Sequence, residues 1–400
     1  MSRYKQHMKI CAVSLAIGSL MISGVVADEK NITIGLAVAQ SGFMAAYDAD
    51  GTNTVQLWVD DQNAKGGLLG KQIKYVIADT KTDRAQGARA GQEVIDQGAQ
   101  LVVVSCDYDF GAPAAGAAQR ANLVSMFLCA EDPKAGVQGA GPYAFTSSIA
   151  AQVQGATAAE WVQKRLGAKN VYSLVDTSLE YNKSVCAGWD WAVARIGLNV
   201  LGTDNYKNDD QSIQAQITRI NSLPEKPDAL MLCGIIPGAA SAIKQMRAAG
   251  LDMPILAGSA VDGTYWTDAV ANLNDLYIPV QASVYGDDPR APVNELVKRF
   301  EAKFDHSPTN TYAIPAYAFM ELWARAVEKA GTTDAVKVVP LMEQYKDEPT
   351  MIGPKTFTSE YHIQLDAEML ILKYENSKPK VFDKFRMSEP LTQDVLFRLK

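Results

Sequence analysis

The sequence predicts an α/β protein of two doubly wound lobes, each built on a parallel sheet. Three observations carry this expectation. Short apolar runs alternate with helical patterns of roughly 10–15 residues, the grammar of βαβ units and parallel sheets. A chain of 400 residues is too long for one ordinary core. Residues 70–106 and 197–233 also echo each other. Each runs strand, acidic cap, amphipathic helix, turn, apolar strand and cysteine. Any two βαβ units share some of this; two lobes of similar fold explain it better.

The elements follow in order. "NITIGLAVA" (31–39) reads as a strand, and a helical pattern runs from Ala45 to Asn63 until the glycines of "KGGLLG" stop it. "QIKYVIAD" (72–79) is the second strand, and Thr82 or Asp83 caps the helix behind it. "LVVV" (101–104) is the third, followed by a helix over Pro113–Ala121 and the strand "LVSMFL" (123–128). The second half repeats the alternation. Helices at 150–166, 181–196, 209–223 and 237–249 precede strands in "NVYSLV", "LNVLGTDNY", "DALMLC" and "MPILAG", the second helix leading into the second strand and so on. After "LNDLYIPVQASV" (273–284) come helices at 292–304, 312–330 and 334–344, then a tail that alternates like an antiparallel hairpin. Right-handed crossovers put helices on both faces of such sheets.

The first 27 residues read as an export leader. Arg3, Lys5 and Lys9 precede the apolar run "ICAVSLAIGSLMI", and small residues end it near Ala27. That run falls short of the roughly 20 apolar residues that span a bilayer. Cys11 sits inside the leader and is lost with it. The expected mature protein is therefore periplasmic. The whole chain carries a net charge of −7, and the leader holds three cations and no acid, so the remainder is more acidic still. That balance excludes nucleic acid and anionic membrane as partners.

Four cysteines remain, Cys106, Cys129, Cys186 and Cys233, with no C-x-x-C spacing for a metal. Three full pairings are open. Cys106 and Cys129 end consecutive strands, which neighbour each other about 4.8 Å apart in a parallel sheet. They are within disulfide reach if the two ends are level. A one-residue slip leaves them close but unbonded.

In open parallel sheets ligands bind beyond the carboxyl ends of the strands. Those ends nominate Ser41, Phe43 and Tyr47; Ser105, Cys106, Asp107, Tyr108 and Asp109; Cys129, Ala130 and Glu131; and Tyr181, Ile235 and Asp262. Asp107, Asp109 and Glu131 make the first-lobe loops acidic. A ligand carboxylate about 4 Å from an unpaired aspartate is repelled by roughly 4 kcal/mol at an effective dielectric of 20. A cationic or neutral nitrogen-rich ligand fits these loops better, with Phe43, Tyr47, Tyr108, Phe110 and Tyr181 as walls or cation–π faces. The competing reading is helix capping or a solvated rim for the acids, and core packing for the aromatics. The three acids lack calcium-loop spacing, so no metal and no cofactor is expected. No G-x-S-x-G, Walker loop or H-E-x-x-H is present, and "GAGPYA" (139–144) follows a loop rather than a strand. The sequence therefore reads as a binding protein and not an enzyme.

The opening "ITIGLAVAQSG", the helix end "NAKGGLLGK" and the strand ending in Asp79 resemble the branched-chain-amino-acid-binding (Leu/Ile/Val-binding type) proteins of ABC importers. "EYNKSVCAGWDWAVARIG" and "PDALMLCG" with the helix after it resemble the same family's second lobe. The resemblance covers residues 31–375. It implies a type I periplasmic binding fold: two lobes joined by three crossover segments, near Phe145–Ile149, Ile278–Ser283 and Met351–Lys355, closing on a ligand. The implied lobes are 28–147 plus 281–350, and 148–280 plus 351–400. It further implies a monomer that delivers a small polar ligand (amino acid, amine or amide-like) to a membrane permease. A ligand sensor of the same fold regulating a partner is the alternative. The family holds an amino acid's carboxylate with hydroxyls and N–H groups on the first-lobe loops, where this chain has Asp107, Asp109 and Glu131. It holds the ammonium with a second-lobe acid, at a position matched by either Ala260 or Asp262.

Overall fold

The computed structural model describes residues 30–270 and 273–399, so the expected leader lies outside the described residues. The first lobe opens with β1 (Asn31–Val38), α1 (Ala45–Ala64), β2 (Gln72–Asp79), α2 (Arg84–Asp96), β3 (Leu101–Val104), α3 (Tyr108–Arg120), β4 (Ser125–Phe127) and β5 (Ala144–Phe145). The second contains α4 (Ala151–Trp161), β6 (Asn170–Asp176), α5 (Glu180–Ile196), β7 (Asn199–Tyr206), α6 (Gln214–Asn221), β8 (Ala229–Cys233), α7 (Gly238–Ala248), β9 (Ile255–Ala257) and β10 (Leu276–Val280). The chain then returns to the first lobe for α8 (Ala291–Phe304), α9 (Ala313–Ala330) and α10 (Ala335–Met342). It ends in the second with β11 (Met369–Glu375), β12 (Lys378–Phe385) and α11 (Gln393–Leu396).

Among the described residues the strands form two sheets, ordered β2-β1-β3-β4-β5 and β12-β11-β10-β9-β8-β6-β7. The first sheet is wholly parallel. In the second, β6 to β10 pair in parallel and the hairpin β11–β12 adds two antiparallel strands beside β10. Central strands such as Leu101–Val104 and Ala229–Cys233 are buried on both faces, which is why they read as unbroken apolar runs. Of the expected crossover Ile278–Ser283, the first three residues complete β10, and the chain departs after it.

Two local features aim the site. Asp107 is the N-cap of α3: its backbone is extended and its Oδ1 accepts from the Asp109 N–H, so the helix starts at Tyr108, five residues before the expected Pro113. Pro113 then sits inside α3, where it cannot donate to the Asp109 carbonyl; the Arg84 Nε donates there instead. The second feature is the close crossing of α4 and α5 at Gly155 and Gly188. A methyl group on Gly155 would run into the Val185 carbonyl, and one on Gly188 into the Gln152 carbonyl. This approach brings Gln154 of α4 to Tyr181 of α5, whose hydroxyl donates to Gln154 Oε1 at 3.0 Å. Gly188→Ala is expected to destabilise the protein by about 1–3 kcal/mol through overpacking. Urea unfolding checks this, and a value near zero would show that the helices part freely.

Candidate functional site

A cleft whose empty space, open solvent included, is about 310 Å³ lies where the two lobes meet. Its lining comes from the carboxyl ends of strands in both sheets. Met44 and Tyr47 follow β1, Cys106 and Asp107 follow β3, and Cys129 and Glu131 follow β4. Leu179 and Tyr181 follow β6, Ile235 follows β8, and Ala260 follows β9. Tyr312, just before α9, completes it. One Cys106–Cys129 disulfide forms part of the wall, with Cα atoms 4.5 Å apart, and ties the loops bearing Asp107 and Glu131. A second, Cys186–Cys233, joins α5 to the end of β8.

The lobes are stitched across this cavity by hydrogen bonds. The Tyr47 hydroxyl donates to the Ala260 carbonyl (2.9 Å) and accepts from the Ile236 N–H (2.8 Å). The Ser259 hydroxyl donates to Glu131 Oε2 (2.7 Å), which also takes the Tyr312 hydroxyl (2.8 Å). At the rim the Ser184 hydroxyl donates to Asp132 (2.7 Å) and Lys134 pairs with Glu180 (2.6 Å). Arg398, near the end of the chain, reaches both Asp132 and Glu180.

The two cavity acids are hard to ionise. Burial, then the nearby Asp109 charge, pushes Asp107 up to about 8. Burial pushes Glu131 up to about 7, against the hydrogen bonds from Ser259 and Tyr312 and the charge of Lys355. Asp48 lies behind the wall, accepting from the Ala39 N–H (2.6 Å) and the Cys106 N–H (2.8 Å), and burial raises it to about 6. Gln154 Oε1 accepts from the Ser259 N–H, which fixes the amide's orientation, while its Nε2 makes no hydrogen bond.

Seven of the residues nominated from sequence therefore meet at the cavity: Tyr47, Cys106, Asp107, Cys129, Glu131, Tyr181 and Ile235. The others stand elsewhere, each for a physical reason. Ser41 is exposed and donates to Asp79. Phe43 packs edge-on against Phe110 (5.6 Å) in an outer groove between the lobes. Ser105 and Ala130 are buried behind the wall. Tyr108 stacks on Phe127 in the first lobe. Asp109 pairs with Arg84 (2.6 Å) and accepts from the Glu180 N–H (3.0 Å). Asp262 is consumed by the Tyr285 and Tyr374 hydroxyls and the Thr311 N–H, so Ala260 and not Asp262 faces the cavity. Ala260, one of the two positions that match the family's ammonium-holding acid, lines the cavity; Met44, Leu179 and Tyr312 are additions of the structure, and Tyr312 precedes a helix rather than ending a strand.

Among the described residues no cluster of acids, histidines and cysteines is placed to hold a metal, and no helix is long and apolar enough to cross a membrane. The family model for periplasmic binding proteins matches residues 31–379. A Leu/Ile/Val-binding protein of Rhizobium johnstonii is 26% identical over 334 residues, covering 82% of this chain and 88% of that one. A Pseudomonas aeruginosa leucine-, isoleucine-, valine-, threonine- and alanine-binding protein is 22% identical over 338 residues, 84% of this chain and 88% of its own. Two solved structures share the fold. The branched-chain amino acid transporter substrate binding protein of Streptococcus pneumoniae, in complex with isoleucine, aligns with a TM-score of 0.78 at 24% identity, over 89% of this chain and 100% of that one. A solute binding protein of an ABC transporter from Rhodopseudomonas palustris, in complex with 3,4-dihydroxy benzoic acid, aligns at 0.76 and 19% identity, over 90% and 99%. The matched family model, the two parallel-sheet lobes and the cavity at their strand ends agree: this chain belongs to the periplasmic binding protein family.

Proposed function

We propose that this chain is an exported solute-binding protein that delivers a small polar ligand to the membrane permease of an ABC importer. It acts as a periplasmic monomer once the leader ending near Ala27 is removed. The lobes, 28–147 plus 281–350 and 148–280 plus 351–400, close on the ligand as units. The observation that carries this reading is the cavity itself: side chains from both lobes line it, and Tyr47 and the Ser259–Glu131 bond tie one lobe to the other across it. Such bonds form only when the lobes are together, so a ligand that fills the cavity favours the closed arrangement. Binding, not catalysis, is the task.

The test is a thermal-shift screen of amino acids, amines and amides, followed by small-angle scattering on any hit. A ligand at 100 times its Kd stabilises the folded state by about 2.7 kcal/mol. The radius of gyration is expected to fall on binding. An unchanged radius with a confirmed ligand sinks lobe closure.

A further inference from the structure

We infer that the cavity selects amines that carry no carboxylate, taking the ammonium on Asp107 and Glu131 and the apolar body between its tyrosines. This inference rests on the solute-binding reading and narrows its ligand. Donors and acceptors around the cavity are unequally committed. Among the described residues no lysine, arginine or histidine lines the cavity. Four N–H groups at the strand ends around the cavity are already taken. Cys106 donates to Asp48, Ile236 to the Tyr47 hydroxyl, Ser259 to Gln154 and Ala260 to the Tyr181 hydroxyl. The hydroxyl protons are spent as well: Tyr47 on the Ala260 carbonyl, Tyr181 on Gln154, Tyr312 on Glu131.

Acceptors are in the opposite condition. The hydrogen bonds to Asp107 and Glu131 use Oδ1 of the first and Oε2 of the second. The other oxygen of each carboxyl is what a ligand meets. A buried carboxyl beside an ammonium forms charge-assisted hydrogen bonds, and Tyr47, Tyr181 and Tyr312 offer cation–π faces. Met44, Leu179 and Ile235 supply the apolar surface for the body of the molecule. The charged groups around the two acids do not change the balance. Asp48, Asp109 and Asp132 add negative charge near Asp107. Lys355 acts on Glu131 from a distance but spends its Nζ on Gln281 Oε1 (3.0 Å) and does not line the cavity. Both cavity acids are raised by burial, so an arriving cation relieves a penalty that the empty protein carries.

Matched pairs test this by calorimetry on the full mature protein. 3-Methylbutylamine is compared with leucine, and 2-phenylethylamine with phenylalanine; each pair differs only by the carboxylate. At least one amine is expected to bind about 30-fold or more tighter than its amino acid. Glu131→Gln and Asp107→Asn are each expected to weaken that amine by about 10–100-fold, the range of a hydrogen bond to a charged group. Thermal unfolding confirms that both variants are folded, and either one folded suffices for the comparison. Leucine or phenylalanine binding as tightly as its amine overturns the inference and leaves the solute-binding reading standing. So does an amine whose affinity neither folded variant changes, and so does silence from both pairs. Only a broad small-molecule screen with no stabilising compound at all sinks the solute-binding reading.

Discussion

Replacing Cys106 and Cys129 together by alanine is expected to lower the unfolding free energy by about 3 kcal/mol and to weaken ligand binding, whereas the same change at Cys186 and Cys233 costs about 4 kcal/mol and affects binding by a smaller factor. The stability terms follow from loop length, because the first bridge spans 23 residues and the second 47. The affinity terms follow from position. The first bridge holds the ends of β3 and β4, and with them Asp107 and Glu131, at one wall of the cavity. Without it, ordering those two loops is a cost that each binding event has to meet. The second bridge lies away from the lining, between α5 and the end of β8, and holds a lobe together rather than a site. The proposed export would make both bonds sustainable. Urea unfolding and calorimetry of the two double variants, side by side, check the pair of effects. Equal losses of affinity, or none for the cavity pair, would show that the bridge does not organise the site.

The fold was legible where pattern and burial agree. β2 and β3 occupy the residues that alternation and β-branching predict, 72–79 and 101–104, and Asp83 is the cap of α2. Boundaries slipped where a side chain or a distant segment decides them. Asp107 starts α3 early because its carboxylate reaches the Asp109 N–H, and Arg84 makes Pro113 tolerable from another helix. β5 is only two residues long and exists because Ser125 and Met126 pair with it, which no local propensity announces.

The site was half legible, for the same reason. Strand ends are readable, so Cys106, Asp107, Cys129 and Glu131 emerge from the sequence. What each side chain does there depends on partners far along the chain. Asp262 is occupied by the hydroxyls of Tyr285 and Tyr374, 23 and 112 residues away. Tyr312 reaches Glu131 across 181 residues. No spacing rule connects such residues; the folding of the return segments α8 to α10 onto the first lobe does.

The second large effect is one of pH. Between pH 5 and pH 7 the free protein is expected to lose roughly 4 kcal/mol of stability, unlike a protein whose carboxylates are salt-bridged. Asp48, Glu131 and Asp107 are raised, chiefly by burial, to about 6, 7 and 8. In the unfolded chain such groups titrate near 3.8 for aspartate and 4.5 for glutamate. Below those values both states are protonated and the folded protein keeps its full stability. As pH rises through the folded values, the folded chain must give up protons that the unfolded chain has already lost, and stability falls. One group opposes this. Burial lowers His362 from 6.5, so its contribution rises with pH in the same window, but it is a single proton against three. Lys355, lowered to about 7 by burial, adds stability as pH passes through 7, and so chiefly above this window. Unfolding at pH 5, 6 and 7 measures the slope, and Glu131→Gln is expected to flatten it by keeping that side chain neutral throughout. A curve that stays level or rises toward pH 7 would show that the buried acids are not protonated at pH 5. A bound amine reverses the sign of the problem, since it favours the ionised carboxyls. Its stabilising effect is therefore expected to be larger at pH 7 than at pH 5, and a neutral ligand in the same cavity would show no such increase.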